Sequence, residues 1–277
     1  MKGPNCSNKV ATAKSTRGGD RTLKAGARVR FPYALLTLRE SRLMRLPLLA
    51  LSITLCSLLA SSCSKGVSRA TAAKVFSVKG RVIFGNAERN DLQPVTLKSR
   101  IHSDDTVRSS DGASIDFALI PAALAQLTGD SEIKIDELSI TKDGNQTAGG
   151  MRDRTARIRL SRGKVIVLFT PSDQSASQFA VTTGQLTIKP DSDCLFCVWT
   201  DGKTTRVTCA KGHVNAPADA QAPVTVTAGY FQGWPTTRKT PVPATEDASA
   251  QIDITESLEA EQRLQNEGSA WQNRRPF

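Results

Sequence analysis

The feature that most restricts the fold is a period of two. In Ser114-Ile115-Asp116-Phe117-Ala118-Leu119 the odd positions are apolar. In Glu132-Ile133-Lys134-Ile135-Asp136 the two isoleucines face one way and the charges the other. Such alternation suits half-buried strands with one wet face, not the 3.6-residue rhythm of an amphipathic helix. Between Val75 and Trp234, runs rich in Val, Ile, Thr and Phe recur, separated by Gly, Asp-Gly, Asn and Pro. The pattern predicts strands at residues 75–77, 81–84, 95–98, 106–108, 114–119, 125–127, 132–138, 155–160, 164–170, 178–182, 185–189, 194–200, 204–209, 213–216 and 224–227. No amphipathic helix interrupts them, and a span of about 160 residues suffices for one all-β core. Residues 142–153, with Asp143-Gly144-Asn145 and Gly149-Gly150, read as a mobile loop dividing the domain.

A short echo runs through this region: Lys79-Gly80-Arg81-Val82, Arg162-Gly163-Lys164-Val165 and Lys211-Gly212-His213-Val214. Each glycine would supply a left-handed turn position where a strand opens. Stacked turn-to-strand units and coincidental turn chemistry both account for it.

The formal charge of +11 points first to nucleic acid. Its location argues otherwise. Up to Cys63 lie 11 of the 37 basic and 2 of the 26 acidic residues, which leaves 26 against 24 beyond it. The body of the protein is nearly neutral, so no nucleic-acid partner is expected. Arg152, Arg154, Arg157, Arg159 and Arg162 form the one basic stretch there. It fits a solvated strand face or an anion or lipid-headgroup site.

The early charge precedes an export signal. Arg45 opens residues 46–60, an apolar run too short to span a bilayer comfortably. The run closes on Ala60-Ser61-Ser62 directly before Cys63, the pattern of a bacterial lipoprotein signal. A thiol there is the best available acceptor for acylation. Cys56 follows Leu55, too bulky for a cleavage site. An ordinary secretory signal cut near Ser62, or a short anchoring helix, are the alternatives. Met44 is where such a signal would normally begin, so residues 1–43 are read as an extension preceding the true start. The expected organisation is signal 44–63, polar tether 64–74, β domain 75–235, and linker, helix and tail 236–277. In the last part 250–267 reads as helical, with Asp253 as cap, Glu256 three residues on, and Ile254, Leu258 and Leu264 on a loose apolar face. Residues 274–277 are expected to be disordered.

Beyond Cys63 three thiols remain, Cys194, Cys197 and Cys209, an odd number for an oxidising compartment. Asp201-Gly202 signals a two-residue hairpin, which would set Thr200 opposite Lys203 and Cys194 opposite Cys209 on a core face. A Cys194–Cys209 disulfide, free buried thiols, and redox or metal use by Cys194 with Cys197 are the three readings. Neither His102 nor His213 sits in a metal-spaced motif or beside a plausible nucleophile. Asp104-Asp105 and Asp191-x-Asp193 could bind a hard cation or simply bond their own turns. Trp199, Trp234 and Trp271 with Tyr230 and Phe231 are candidates for a contact surface or for packing. No catalytic residue, metal site, cofactor or small-molecule substrate is expected.

Nine elements in order resemble the periplasmic domain of the ferric citrate regulator (FecR) family. They are Val78-Lys79-Gly80-Arg81-Val82, Asp104-Asp105-Thr106-Val107-Arg108-Ser109, Ser110-Asp111-Gly112-Ala113-Ser114, Pro121, Ser131-Glu132-Ile133, Leu160-Ser161-Arg162-Gly163-Lys164-Val165, Phe179-Ala180-Val181-Thr182-Thr183-Gly184, Ala210-Lys211-Gly212-His213-Val214 and Val226-Thr227-Ala228-Gly229-Tyr230. Thr183 stands where the family usually has Pro, and Pro190-Asp191-Ser192-Asp193 replaces a usual Gly-Thr. The resemblance, about residues 75–231, implies stacked short strands of solenoid or sandwich type and an exported location. The family's anti-sigma helix bundle and transmembrane helix are not recognisable in residues 1–43. The expected function is therefore a non-enzymatic binding or scaffold module of the cell envelope. It would be lipid-anchored through Cys63, facing the periplasm and at the outer rather than the inner membrane, with an envelope protein as partner. Signal relay in a sigma-factor and receptor system is the alternative.

Overall fold

A computed structural model describes residues 67–142, 151–171, 176–216, 223–236, 238 and 240–273. The strands are β1 (Val67–Ala70), β2 (Ala73–Lys79), β3 (Val82–Gly85), β4 (Gln93–Pro94), β5 (Arg100–Ile101), β6 (Thr106–Ser109), β7 (Ser114–Ile120), β8 (Ala123–Lys142) and β9 (Met151–Phe169). Then come β10 (Ala176–Thr182), β11 (Thr187–Ile188), β12 (Cys194–Thr200), β13 (Thr205–Lys211), β14 (His213–Ala216), β15 (Val224–Thr227), β16 (Tyr230–Trp234) and β17 (Val242–Pro243). One helix, α1 (Ala248–Asn273), follows. The all-β expectation with a C-terminal helix holds.

The main sheet runs β17-β16-β13-β12-β9-β8-β6-β3-β4, with β1, β2, β5, β7, β10 and β11 branching from it; β14 and β15 pair separately. Pairing is antiparallel except that β10 runs parallel to β9. Strands β8 and β9 form the spine. Each spans two segments that the sequence reads as separate strands. Gly129 (φ 66°) and Gly163 (φ 86°) take left-handed conformations within them, and the β8–β9 register shifts between Thr128 and Glu132. The chain bends through a bulge and keeps pairing instead of turning back. A Cβ on Gly163 would collide with Ser131, whose Oγ accepts from Lys164 N at 2.8 Å and donates to the Thr128 carbonyl.

The other echo glycines, Gly80 (φ 74°) and Gly212 (φ 70°), share that conformation. All three press against a neighbouring segment: Ala113, Ser131 and Asp193 respectively. The echo is thus a repeated turn-and-contact device.

Some elements depart from expectation. The tether 64–74 contains β1, which pairs with the far end of β8, and the start of β2. Residues 95–98 form no strand; Ser99 N–H instead closes a turn on the Thr96 carbonyl at 3.0 Å. The 143–150 loop lies outside the described residues.

The inner face of the sheet makes the core, including Phe117, Phe169, Phe196, Ile133, Ile158 and Val207. The rings of Phe169 and Phe179 stack with centroids 6.1 Å apart. The opposite face is not wet throughout. Where α1 crosses it, a second cluster forms from Ala118, Leu124, Ile166, Leu168, Leu195 and Cys197 with Ala260 and Leu264 of the helix. Asp116 and Ala118, which the alternation assigns to solvent, are buried there.

Candidate functional site

Cys63, the whole segment 44–63, and Arg274 to Phe277 lie outside the described residues. Among the described residues no helix is long and apolar enough to cross a membrane.

The thiols correct the expected hairpin. Thr200 pairs with Thr205, not Lys203, so Asp201 to Thr204 form a four-residue loop. Asp201 Oδ1 accepts from Lys203 N at 2.8 Å and Thr204 N at 2.6 Å, and Thr200 Oγ1 donates to the Thr204 carbonyl at 2.6 Å. These side-chain bonds stabilise the wider turn over the two-residue one. The shift puts Phe196 opposite Cys209 and Thr208 opposite Cys197. Cys194 and Cys209 do share the inner core, and Cys194, Cys197 and Cys209 are all free and buried in this structure. Burial pushes the Cys209 thiol up to about 12. Burial, with Cys209 nearby, raises Cys194 further, and burial raises Cys197 well above the usual thiol range. Thiols so protonated are poor nucleophiles and poor metal ligands.

The acid pairs serve turns. Asp105 Oδ2 accepts from His102 N at 2.8 Å, and Asp104 (φ 70°) donates its N–H to the Ile135 carbonyl at 2.7 Å. Asp191 accepts from Asn215 Nδ2 at 2.9 Å and lies 3.0 Å from His213 Nε2. No group of three potential metal ligands occurs among the described residues. A polar surface recess of about 520 Å³ lies over Phe84, Asp91, Lys98, Arg100, His102 and Asp105. Its Asp105 carboxylate is already engaged by the turn.

The arginine stretch is largely matched by carboxylates of β8: Arg157 with Glu137 at 3.5 Å, Arg159 with Asp136 at 3.2 Å, and Arg162 with Asp130 at 3.1 Å. That favours the solvated-face reading for these three. Arg154 differs. Its Nε is buried with no hydrogen-bond partner, and burial lowers its pKa. Of the aromatic residues, Trp234 is buried, Trp199 carries the Arg206 guanidinium 5.3 Å above its ring, and Tyr230 is exposed.

The densest polar arrangement lies between the helix and the sheet. Helix α1 begins at Ala248, and its first turn is held by Asp247 Oδ1, which accepts from Ala250 N at 2.8 Å. The expected cap, Asp253, lies six residues further in and is 1% exposed. Its carboxylate meets Lys164 Nζ and Arg206 Nη2, both at 2.8 Å, and Thr208 Oγ1 at 3.3 Å. Lys164 also bonds Glu256 at 2.7 Å. Burial alone would lower the Lys164 pKa, but the carboxylates reverse the shift and raise it. The docked stripe is Ala250, Asp253, Ser257, Ala260 and Leu264, whereas Leu258 of the expected apolar face is exposed. The legible signal was a row of small residues at helical spacing with one acid in it. What the sequence could not show is that two cations from β9 and β13 would meet that acid.

In function, this geometry offers a sheet with a helix strapped to it and no assembled nucleophile, base and acceptor set among the described residues. The model of the FecR protein family matches residues 105–215, from the start of β6 through β14. No curated protein matches. Two crystal structures of a candidate anti-sigma factor from Parabacteroides distasonis ATCC 8503 overlay with TM-scores of 0.34 and 0.35 at 12% identity. They cover 50% of this chain and 57% of theirs, so this chain spans little more than half their length. Across residues 105–215, the spine of the sheet and the hairpins that flank it, this chain is similar to the FecR protein family.

Proposed function

We propose that this protein is a non-enzymatic regulatory module of the cell envelope that binds a protein partner and relays its state. The single observation behind this reading is the FecR match across residues 105–215. FecR proteins are regulators, and the acids, histidines and thiols described above serve turns, ion pairs and packing. Anchoring is through a lipid on Cys63, where the apolar run 46–60 and the small residues before the thiol provide the signal. Ser64 after that cysteine favours the outer membrane. The sheet surface and edges are the contact regions, and a passive scaffold is the competing role for the same surfaces.

Crosslinked pull-down from envelope membranes, with the wild type and Cys63→Ala side by side, tests this. Recovery of a receptor or sigma-regulatory component is expected, together with palmitate labelling that disappears in Cys63→Ala. Recovery of only envelope-assembly proteins would turn the reading to scaffolding. An unlabelled protein in the soluble fraction would remove the anchor from it.

A further inference from the structure

Two different contacts hold α1 to the sheet. Its N-terminal half is pinned by opposite charges, Asp253 between Lys164 and Arg206, with Glu256 on Lys164. Its C-terminal half has one half-exposed ion pair, Lys211 with Glu261 at 2.7 Å, and otherwise lies on apolar groups and on a polar relay in which like charges face each other. Arg263 Nη2 donates to Gln126 Oε1 at 3.3 Å, and Gln126 Nε2 donates to Asp116 Oδ1 at 2.6 Å. Asp116 and Gln126 are 5% and 4% exposed. Glu267, one turn beyond Arg263, adds a second carboxyl whose Oε2 is buried with no hydrogen-bond partner. The fit is close, since a Cβ on Gly268 would stand 2.7 Å from Leu124 Cδ1.

An ionised carboxylate with a buried, unpartnered oxygen is costly, and a second one nearby adds repulsion. A proton on Glu267 removes both penalties, and one on Asp116 removes the repulsion. The other charged groups on this face are Lys74 and Lys79 from β2, two register steps either side of Asp116, Lys164 from β9, Arg206 and Lys211 from β13, and Asp253, Glu256, Glu261 and Arg263 from the helix itself. Of these, Arg263 is the cation that acts on both carboxyls.

We propose that the C-terminal half of α1, residues 259–268, is an acid-tightened latch. Protonation of the Asp116–Glu267 pair closes it onto the sheet and deprotonation loosens it, while Asp253 keeps the N-terminal half in place. The sign follows from the environment. Burial raises Asp116 above 3.8, and burial and then Asp116 raise Glu267 above 4.5. In the window just above those values the docked helix retains protons that the undocked one releases. Docking therefore weakens as pH climbs through that window and levels off above the raised values. Loosening would bare Leu124, Ile166, Leu168 and Leu195, an apolar strip beside the still-pinned turn.

Amide hydrogen exchange on the full chain tests the latch at about pH 4.5 and about pH 7.5, corrected for the intrinsic pH dependence of exchange. Protection across residues 259–268 should fall roughly tenfold between the two, and by less than about twofold across 250–257. Glu267→Gln should cut that fall to below about threefold, and Asp116→Asn with Glu267→Gln should abolish it. If Asp116→Asn does not fold, Glu267→Gln alone decides. A fall shared equally by both halves, or one that persists in the variants, overturns the proposal.

Discussion

The two faces of the β8–β9–β12 sheet carry equally buried side chains but are held by different forces. The inner face is aliphatic and aromatic, with Phe117, Phe196, Ile133 and Val207 at 0% exposure. It is stabilised by area removed from water and by close packing. The outer face under α1 combines an apolar strip with a three-charge knot. There, geometry decides the outcome, because a buried ion pair gains little over an apolar filling yet costs much when one partner is lost. The inner face should fail by cavity and the outer face by uncompensated charge.

That contrast can be broken experimentally. The largest effect expected is on the inner face: Phe196→Ala should lower unfolding stability by about 4 kcal/mol in urea titrations, with the helix still docked. A loss under about 1 kcal/mol would mean that the inner face is not the packed core. Next, Asp253→Ala leaves Lys164 and Arg206 without their shared partner and should cost about 3 kcal/mol. It should also raise labelling of Cys197 several-fold, because α1 seals that thiol, while Cys209 on the inner face stays protected. Equal labelling of both thiols would erase the distinction between the faces. In the unaltered fold, Cys209 near 12 holds about a thousandfold less thiolate than an ordinary thiol of pKa 9.0 would. Alkylation without reductant should therefore be negligible until denaturant is added, after which all three thiols should label. Gly163→Ala strains a left-handed residue and crowds Ser131, so about 2 kcal/mol is expected from thermal unfolding, and the bulge joining the halves of β9 should suffer first. The smallest effect should come from Arg159→Ala. Arg159 is 58% exposed in its pair with Asp136, so stability should move by no more than about 0.5 kcal/mol.

The same contrast explains what could be read in advance. Ile115, Phe117, Ile133 and Ile135 announce their face by alternation alone, and all are buried in the inner core. Asp116 and Lys164 look like solvent-facing partners in the same pattern, since period two reports that a residue points away from the core but not what covers it. The thiols show a second limit. Cys194 and Cys209 were correctly assigned to one face, but their register depended on whether the Asp201 loop closes after two residues or four. Side-chain bonds from Thr200 and Asp201 decide that. Gly129 and Gly163 show a third: each reads as a strand terminator yet serves as a bend within a continuous strand, because the pairing partner keeps running alongside.

By itself the sequence determined the all-β class, most strand positions, the inner core and the likeness to FecR proteins, because these follow from local periodicity and ordered short motifs. Only the tertiary structure decided the hairpin register and the burial of Asp253 between Lys164 and Arg206. Those three cations and acids lie 42 to 89 residues apart in the chain, and whether a charge meets solvent or a partner is set by what folds across it, not by its neighbours in sequence.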